Sequence, residues 1–359
     1  MSFKNRLARL TAVLIAVSIS FSVAPSAQAA NPKGLFGQSD PTYDGVFRQS
    51  LAIMSLVAAG SKVPPAAQLW LVKQQCPNGG FEAFRADTDA ECNPSDAVNY
   101  SGIETNSTAL AAVALAAIGK PVKARKAVEW LKSAQRGSGG IPYFKGGTPD
   151  AASTALALIA AKSVGLDQTA FAVGEKNLVS FLRTVMLDCG YEKSARGALA
   201  YSKSNPLFAS PMTTSQALAA LSGALQEPVK TAEQPRSMIC PEGGKPTRLQ
   251  DIRNANASFI ASTLTARNGV MPSEYGSGDD WGSTAWAVIG LAGSGYSNKT
   301  YSSAVIALRN NLNTALAYSN NEVNPGRAAL VILAVKAAGL NPAKFGNKNL
   351  LAELRGTLN

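Results

Sequence analysis

The stretch STALAAVALAAIG, residues 107–119, decides the fold, because variants of it recur at intervals of about 45 to 70 residues. In each copy the fourth residue is large and apolar, and the eighth, one helical turn away on the same face, is small. Such a face suits helices that pack closely side by side. Five copies end in glycine, which easily takes the left-handed conformation that ends a helix. The copies are RQSLAIMSLVAAG (48–60), STALAAVALAAIG (107–119), STALALIAAKSVG (153–165), SQALAALSGALQE (215–227), STAWAVIGLAGSG (283–295) and RAALVILAVKAAG (327–339).

A second amphipathic segment follows each copy, with apolar residues at three- and four-residue spacing and charges between them. These partner segments are 66–75, 124–135, 175–187, 253–266, 302–316 and a last one near the C-terminus. Glycine-containing turns close several units, and no strand pattern stands out. The sequence therefore predicts an all-α protein of six helix pairs. Because a repeat array buries one continuous core between neighbouring units, we expect residues 30–359 to form a single domain.

The first 29 residues have the features of a signal peptide. Three basic residues precede a mostly apolar run from residue 10 to residue 23, and Ala27-Gln28-Ala29 fits a small-x-small cleavage site. The apolar run is too short for a membrane anchor. We therefore predict a secreted chain that starts near Ala30 and has no stable membrane anchor.

Charge and cysteine content narrow the class of protein. The net charge is +11, but the basic residues are scattered and not interleaved with aromatic side chains, which argues against nucleic-acid binding. Four cysteines without any histidine fit an oxidising compartment better than a zinc site, so we expect no metal and no cofactor. Of the three possible connectivities we favour the disulfides Cys76–Cys92 and Cys189–Cys240.

Two alternating sub-motifs resemble the prenyltransferase and squalene-oxidase repeat. Residues 67–81 and 127–141 both match the pattern A-x-x-[WF]-L-x-x-x-Q followed by G-G-[FI]. The STALA-type segments look like the inner helices of the superfamily of terpenoid cyclases and protein prenyltransferases. The resemblance covers nearly all of the chain after residue 29. It implies an α/α toroid, in which an inner ring of six helices is surrounded by six outer helices.

The resemblance also implies where chemistry would be found. Class II terpene cyclases carry Asp-x-Asp-Asp-Thr-Ala at the start of an inner helix, and the middle aspartate protonates the substrate. Three helix starts in this chain keep the first acid and the Thr-Ala, at Glu104, Asp150 and Asp280. The middle position holds Asn106, Ala152 or Gly282, and none of these can replace a carboxyl of raised pKa. The zinc ligands of protein prenyltransferases include a histidine, which this chain lacks.

The three acids have two interpretations. At a helix start, an acid accepts hydrogen bonds from free backbone N–H groups, which would make these residues caps. In a ring, equivalent positions converge on one mouth, where grouped carboxylates would be candidate catalytic residues and could also hydrolyse a glycosidic bond. Aromatic residues in the loops before the inner helices are predicted to rim the same end and to hold an apolar or sugar-like ligand. These rim residues are Phe84, Tyr100, Tyr143, Tyr275 and Trp281.

From these features we expect a non-catalytic or degenerate member of the superfamily. It would bind an isoprenoid-like apolar molecule, a cell-envelope component or a protein partner through its central cavity or rim. The alternative is an enzyme, either cyclase- or transferase-like or carbohydrate-active, that uses the three acids. An enzyme needs at least two carboxylates of shifted pKa buried in one pocket, whereas a binding protein needs only an apolar surface.

Overall fold

A computed structural model of the chain describes residues 33–204, 206–222, 235, 248–317 and 322–359. All of them belong to one compact unit, residues 31–359. The predicted signal peptide, residues 1–29, and Cys240 lie outside the described residues. No helix among the described residues is long and apolar enough to cross a membrane.

Helices make up most of the described chain, as the sequence predicts. Three single-turn 3-10 helices cover residues 168–170, 298–300 and 342–344. In chain order the α-helices are α1 (Gly45–Ala58), α2 (Pro65–Gln74), α3 (Thr105–Ala117), α4 (Pro121–Ala134), α5 (Ala151–Ser163), α6 (Leu178–Thr184), α7 (Pro211–Ser222), α8 (Leu249–Ala266), α9 (Trp281–Gly293), α10 (Ser302–Asn310), α11 (Leu312–Leu316), α12 (Pro325–Ala337) and α13 (Leu350–Arg355).

The helices that contain the repeated copies form the inner ring. Helix α1 packs against α3, α3 against α5, α5 against α7, α7 against α9, α9 against α12, and α12 returns to α1. These inner helices are buried along almost their whole length. Small residues at the eighth position allow the close approach: a Cβ on Gly290 of α9 would lie 2.9 Å from the backbone nitrogen of Ala219 in α7. The five glycines that end the copies have φ between 67° and 81°, as predicted for helix ends.

Each inner helix is covered by the amphipathic helix that follows it. Helix α2 packs on α1, α4 on α3, α6 on α5, α8 on α7, α10 on α9 and α13 on α12. The predicted continuous partner 302–316 is divided into α10 and α11. The break falls at Asn311, whose backbone N–H and side-chain amide both donate to the carbonyl of Ala307, at 3.1 and 2.9 Å.

Four antiparallel pairs of two-residue strands were not predicted from the sequence. They are β1 (Phe81–Glu82) with β2 (Ile103–Glu104), β3 (Ile141–Pro142) with β4 (Pro149–Asp150), β5 (Ala172–Val173) with β6 (Lys176–Asn177), and β7 (Met271–Pro272) with β8 (Asp279–Asp280). Two residues are too few to show the alternation that marks a strand in sequence. Three of the pairs join the loop after an outer helix to the start of the next inner helix, and they place Phe81 opposite Glu104, Ile141 opposite Asp150 and Met271 opposite Asp280.

A hydrogen bond to a threonine hydroxyl recurs in four of the inner helices, and it shows that the predicted register of the fourth copy needs correction. The hydroxyls of Thr108, Thr154 and Thr284, each at the second position of its copy, accept from the backbone N–H groups of Phe81, Ile141 and Met271 at 2.9 Å. In α7 the same bond runs from the N–H of Leu199 to Thr214, also at 2.9 Å. The structural repeat in α7 therefore starts at residue 213, and its fourth position is Gln216. The predicted start at residue 215 was wrong because Ser-Gln-Ala-Leu imitates Ser-Thr-Ala-Leu two residues later.

Covalent and backbone links hold the periphery of the ring. The predicted disulfide Cys76–Cys92 is present. Cys189 is also disulfide-bonded, but the predicted pairing with Cys240 involves a residue that is not described. Beside α1 and α12, residues 34–37 pair with residues 357–359. The N–H of Gly34 donates to the carbonyl of Asn359 at 2.8 Å, and the N–H of Asn359 donates to that of Leu35 at 3.0 Å. We call this pairing the clasp.

Candidate functional site at the mouth of the ring

The inner helices begin at one end of the ring, which we call the mouth, formed by residues 39–44, 81–104, 141–150, 199–204, 206–210 and 271–280. Its loops are linked in series. The first-turn N–H groups of Val46, Thr105 and Ala151 donate to the carbonyls of Ala83, Tyr143 and Tyr201, respectively, at 2.7 to 2.9 Å. The loops 81–104 and 141–150 therefore bond to the inner helix before them and, through their strand pairs, to the inner helix after them.

The three predicted acids cap the helices that follow them. The two carboxylate oxygens of Glu104 accept from the backbone N–H groups of Asn106 and Ser107 at 2.5 and 2.7 Å. Asp150 accepts from the N–H of Ser153 at 2.7 Å and from its hydroxyl at 2.8 Å. Asp280 bonds Ser283 in the same way. The capping interpretation is therefore the one that the hydrogen bonds support directly.

Two of these caps lie in an environment that changes their titration. Glu104 and Asp150 are each 2 % exposed. Burial raises the pKa of Glu104 to about 7, against the hydrogen bonds from Ser107 and Asn106, which lower it. Burial likewise raises the pKa of Asp150 to about 6, against those from Ser153. Glu104 and Asp150 also affect the titration of Tyr143. Burial is the main cause that raises the pKa of the Tyr143 phenol, and the nearby charges of Glu104, Tyr201 and Asp150 raise it further.

A different arrangement caps α7, where the equivalent residue is Ser210 rather than an acid. The carboxylate of Glu274, in the next mouth loop, accepts from the hydroxyl of Ser210 at 2.7 Å and from the N–H of Met212 at 2.9 Å. The ring thus replaces a missing local acid with one from a neighbouring unit. Glu274 was not predicted, because it is 64 residues away from Ser210 in sequence.

The middle position of the cyclase-like motif carries no acid in the structure. Asn106 lies at the mouth and is partly exposed, and its buried side-chain oxygen has no hydrogen-bond partner. Ala152 and Gly282 offer no polar group at all. Among the described residues, the one group spaced like metal ligands is Cys76, Glu82 and Cys92, and its two sulfurs are joined in the disulfide.

The interior of the ring is packed one turn below the mouth. Phe47, Asn106, Met212 and Gly282, in the first turns of their helices, are partly exposed. Four residues later, on the same helical faces, Leu51, Leu110 and Trp286 are at most 3 % exposed. The exception is Gln216 of α7, which is partly exposed and has an unpartnered buried side-chain oxygen. Along these helical faces, exposure therefore falls from the mouth to the turn below it.

Exposed aromatic side chains are concentrated at the mouth. Within the described residues, every aromatic side chain more than a third exposed precedes an inner helix: Tyr43, Tyr100, Tyr201, Phe208 and Tyr275. One of them, Tyr100, adjoins the buried ring of Phe144. The ring centroid of Phe144 lies 6.1 Å from that of Tyr100 and 4.8 Å from that of Tyr143. Burial raises the pKa of Tyr201 to about 12, and the nearby charge of Asp150 adds to the rise. We call Tyr100, Phe144, Tyr143, Tyr201 and Tyr275 the aromatic arc.

Three of the five predicted rim residues belong to this arc, and two do not. Trp281 is 7 % exposed and packs in the core as the first residue of α9. Phe84 is stacked on Trp70 of α2, with ring centroids 6.4 Å apart. The ligand-binding role predicted for the five rim residues stays a prediction, since a loop position near the mouth does not decide how far a ring is exposed. Tyr201 was missed, although it lies two residues after Leu199 as Tyr143 lies two after Ile141.

Comparisons with known proteins identify the fold but not the activity. No family model matches the chain, and no curated protein matches it. Similar solved structures include a protein from Actinoplanes (16% identity, 86% of this chain and 92% of that one, TM-score 0.51). They also include the type II terpene cyclase MstE R337A from Scytonema in complex with geranylgeranyl dihydroxybenzoate (12% identity, 87% and 95%, TM-score 0.52).

A third similar structure is ent-copalyl diphosphate synthase from Streptomyces platensis (18% identity, TM-score 0.52). The match covers 82% of this chain but only 50% of the synthase, so this chain spans about half the length of that enzyme. At such identities the comparison concerns the backbone architecture. Together with the closed ring of inner helices, it establishes that the chain has the α/α-toroid fold seen in these terpene cyclases.

Proposed function

We propose that this chain is a non-catalytic α/α-toroid protein that binds a ligand or partner at its mouth. The observation that carries the proposal is the use of the motif acids: Glu104, Asp150 and Asp280 bond the first turns of their own helices. The middle position, which holds the proton donor in class II cyclases, is Asn106, Ala152 or Gly282. The exposed aromatic side chains at the same end supply a binding surface.

Binding deep in the ring is less well supported than binding at the mouth. The described apolar side chains one turn below the mouth are buried, so they offer an isoprenoid-like ligand little accessible apolar surface. An envelope component or a protein partner at the mouth needs no such cavity. Export to the cell envelope is part of this proposal, and the disulfide Cys76–Cys92 supports it because disulfides are rare in the cytosol.

The proposal is tested by offering the purified protein geranylgeranyl diphosphate and squalene and analysing the extracts by mass spectrometry. We expect no cyclised product and no release of diphosphate. Native mass spectrometry of protein from its own host would then show whether a molecule co-purifies. Turnover of either substrate would contradict the proposal. For the export component, N-terminal sequencing should find a chain that starts at Ala30.

The buried carboxyls favour a second candidate, an enzyme. A group with a pKa near 7, as burial gives Glu104, suits proton transfer at neutral pH, and Asp150 lies on the adjoining strand pair. In that case Glu104→Gln and Asp150→Asn would each abolish turnover of a substrate, although each variant still folds and unfolds in one cooperative transition. Asp280→Asn, a cap of the same geometry with a more exposed carboxylate, is the matched control and would keep full turnover.

A further inference from the structure

The excess of positive charge is concentrated in one unit of the ring, although basic residues occur along the whole chain. The chain has 34 Lys and Arg against 23 Asp and Glu, which gives a net charge of +11. Residues 120–145, which contain α4 and its flanking turns, carry seven basic residues and one acidic residue, Glu129, and so hold +6 of this charge. Helix α4 itself carries +3, whereas none of the other described outer helices carries more than +1. The attraction for an anionic partner is therefore strongest on this side of the ring.

The basic side chains of α4 lie on its outward face. Positions 122, 125, 126, 129, 132 and 133 recur at three- and four-residue spacing, and all are exposed except the half-buried Lys132. On the opposite side of the helix, Val128 and Leu131 are completely buried. Lys145 adjoins the outward face, because its ammonium donates to the hydroxyl of Ser133 at 3.1 Å, and the exposed Arg136 follows α4 directly. The basic face, as we call it, consists of Val122, Arg125, Lys126, Lys132, Arg136 and Lys145.

Three charges of the basic face have no partner within the described part of the chain. Arg125, Lys126 and Arg136 make no ion pair and no side-chain hydrogen bond with the residues described. Lys132 pairs with Glu129 at 3.5 Å, on the exposed surface. Most of the charge on this face is therefore available to a group outside the protein.

Helix stability does not explain the basic residues at the start of α4. Lys120 is the N-cap, Lys123 lies in the first turn, and this turn contains no acid. The N-terminal end of a helix dipole is positive, so cations are unfavourable there and acids are favourable. The two lysines thus oppose the stability of the helix that carries them, which points to a role in binding.

The composition of this surface distinguishes between anionic partners. Protein interfaces are enriched in aromatic residues and Arg and depleted of Lys, whereas five of the seven basic residues in 120–145 are lysines. The one aromatic ring of α4, Trp130, is only 7 % exposed, so the helix offers no platform for stacking the bases of a single-stranded nucleic acid. Val122, between Lys120 and Lys123 in sequence, is 80 % exposed. A lipid interface can bury an apolar side chain beside lysines, and a hydrated polyanion offers no such apolar region.

We propose that the basic face binds reversibly to the surface of a bilayer that contains anionic lipids. Its lysines and arginines lie at the level of the lipid phosphates, and Val122 enters the boundary of the acyl region. Helix α4 has 14 residues and is about 21 Å long, and its outward side can meet a flat surface without any cavity. The inference concerns the side of the ring, so it does not depend on the function proposed for the mouth.

The test is co-sedimentation of the chain from residue 30 onward, which contains the whole compact unit, with lipid vesicles. The vesicles consist of phosphatidylcholine alone or with about 30 % phosphatidylglycerol. We expect binding to the anionic vesicles only, with release at about 1 M salt. Arg125→Gln, Lys126→Gln and Arg136→Gln should each weaken binding about fivefold, and the triple variant about a hundredfold. Val122→Ala should weaken it about fourfold, the equivalent of one buried CH₂ group.

Two controls separate the basic face from net charge and from misfolding. The triple variant Lys203→Gln/Lys299→Gln/Lys344→Gln removes the same charge from exposed positions elsewhere, and its affinity should stay within about twofold of wild type. Lys120→Gln should weaken vesicle binding without lowering the midpoint of thermal unfolding, because it removes a cation from a helix start.

Three outcomes would overturn the inference. If the protein does not sediment with anionic vesicles, the basic face is not a lipid-binding surface. If the two triple variants lose affinity equally, binding follows net charge and the face is not a site. If polyphosphate or duplex DNA binds through Arg125, Lys126 and Arg136 and Val122→Ala has no effect on vesicle binding, the partner is a soluble polyanion and the lipid assignment is wrong.

Discussion

At the scale of single residues, the mouth is organised by carboxyl groups whose hydrogen bonds and burial act in opposite directions. The N–H groups at the helix starts favour the charged form of Glu104, and removal from water favours the neutral form. Burial prevails, since the pKa of Glu104 rises from 4.5 to about 7. A buried cap of this kind makes stability depend on pH near neutrality.

Glu104→Gln should flatten the pH dependence of unfolding. The folded chain holds a proton on Glu104 more tightly than the unfolded chain, so the stabilisation is fully present below pH 4.5 and is lost as pH rises through about 7. The loss amounts to roughly 3 kcal/mol. Urea unfolding from pH 4.5 to 8 measures it. Glu129→Gln, at an exposed site on α4, should keep the wild-type slope, and an equal slope in Glu104→Gln would contradict the assignment.

The sequence is informative about residues whose role is local. Glu104, Asp150 and Asp280 could be predicted as caps because the bonds they accept come from residues three or fewer positions away. Their burial could not be predicted, since it depends on the mouth loops of neighbouring pairs. Glu274 gave no signal, because its partner Ser210 is distant in sequence. Tyr201 did give one, through its equivalence to Tyr143.

At the scale of helices and loops, residues of one repeat unit can cap the helix of a neighbouring unit. At the start of α7, Ser210 accepts from the N–H of Thr213 at 3.1 Å, and the mouth loop of the next unit adds Glu274 as a further acceptor. The repeated pattern therefore tolerates a lost acid where an adjacent loop replaces it.

Glu274→Ala should destabilise α7 although the residue lies in another loop. Losing the acceptor for Ser210 and Met212 should lower the free energy of unfolding by about 1 kcal/mol, the usual cost of a lost cap. Chemical denaturation measures the change. Asp280→Ala, which removes a local cap, should cost a similar amount, and Glu175→Ala, in an exposed turn, should cost almost nothing. If Glu274→Ala behaves like Glu175→Ala, the shared cap is not energetically significant.

The helix–helix contact of α7 and α9 depends on the absence of a side chain at one position. Gly290→Ala would place its Cβ 2.9 Å from both Ala219 N and the Leu218 side chain. Overpacking of this kind costs about 1–3 kcal/mol, which outweighs the gain of about 1 kcal/mol in helix propensity at the upper end of that range. We expect a lower midpoint of thermal unfolding. Gly137→Ala meets open space and should leave the midpoint unchanged, and parity of the two variants would contradict the packing argument.

The pattern of a large and a small residue in each copy predicted the helix pairs and their order, whereas the closed ring was implied by the resemblance to the prenyltransferase and squalene-oxidase repeat. The pattern did not predict the strand pairs, which are too short to have a period. The register of the fourth copy was wrong because Ser215-Gln216 resembles Ser-Thr in the other copies, and only the bond from Leu199 to Thr214 distinguishes them.

At the scale of the whole molecule, ring closure is carried by the contact of α12 with α1 and by the clasp. Deleting residues 357–359 would remove the backbone bonds from Gly34 and Gly37 and the bond to Leu35, at about 1 kcal/mol each. We expect a lower thermal midpoint and faster proteolysis near residue 33. Asn359→Ala loses only its side-chain bonds to Leu35 and Gly37 and should fall between wild type and the deletion. Unchanged proteolysis would show that α1 and α12 close the ring unaided.

The clasp also determines where the ring can come apart. An open stack of helix pairs has two exposed faces, one at each end, and must protect both with special units. A closed circuit has none, and every pair is flanked on both sides. A closed ring has a single seam instead, which is the junction between the first and last helix pairs. No peptide chain crosses this junction, so only non-covalent contacts hold the two pairs together. Opening of the ring should therefore start at this seam. We expect a ligand that binds across the mouth loops to change how often the ring opens there.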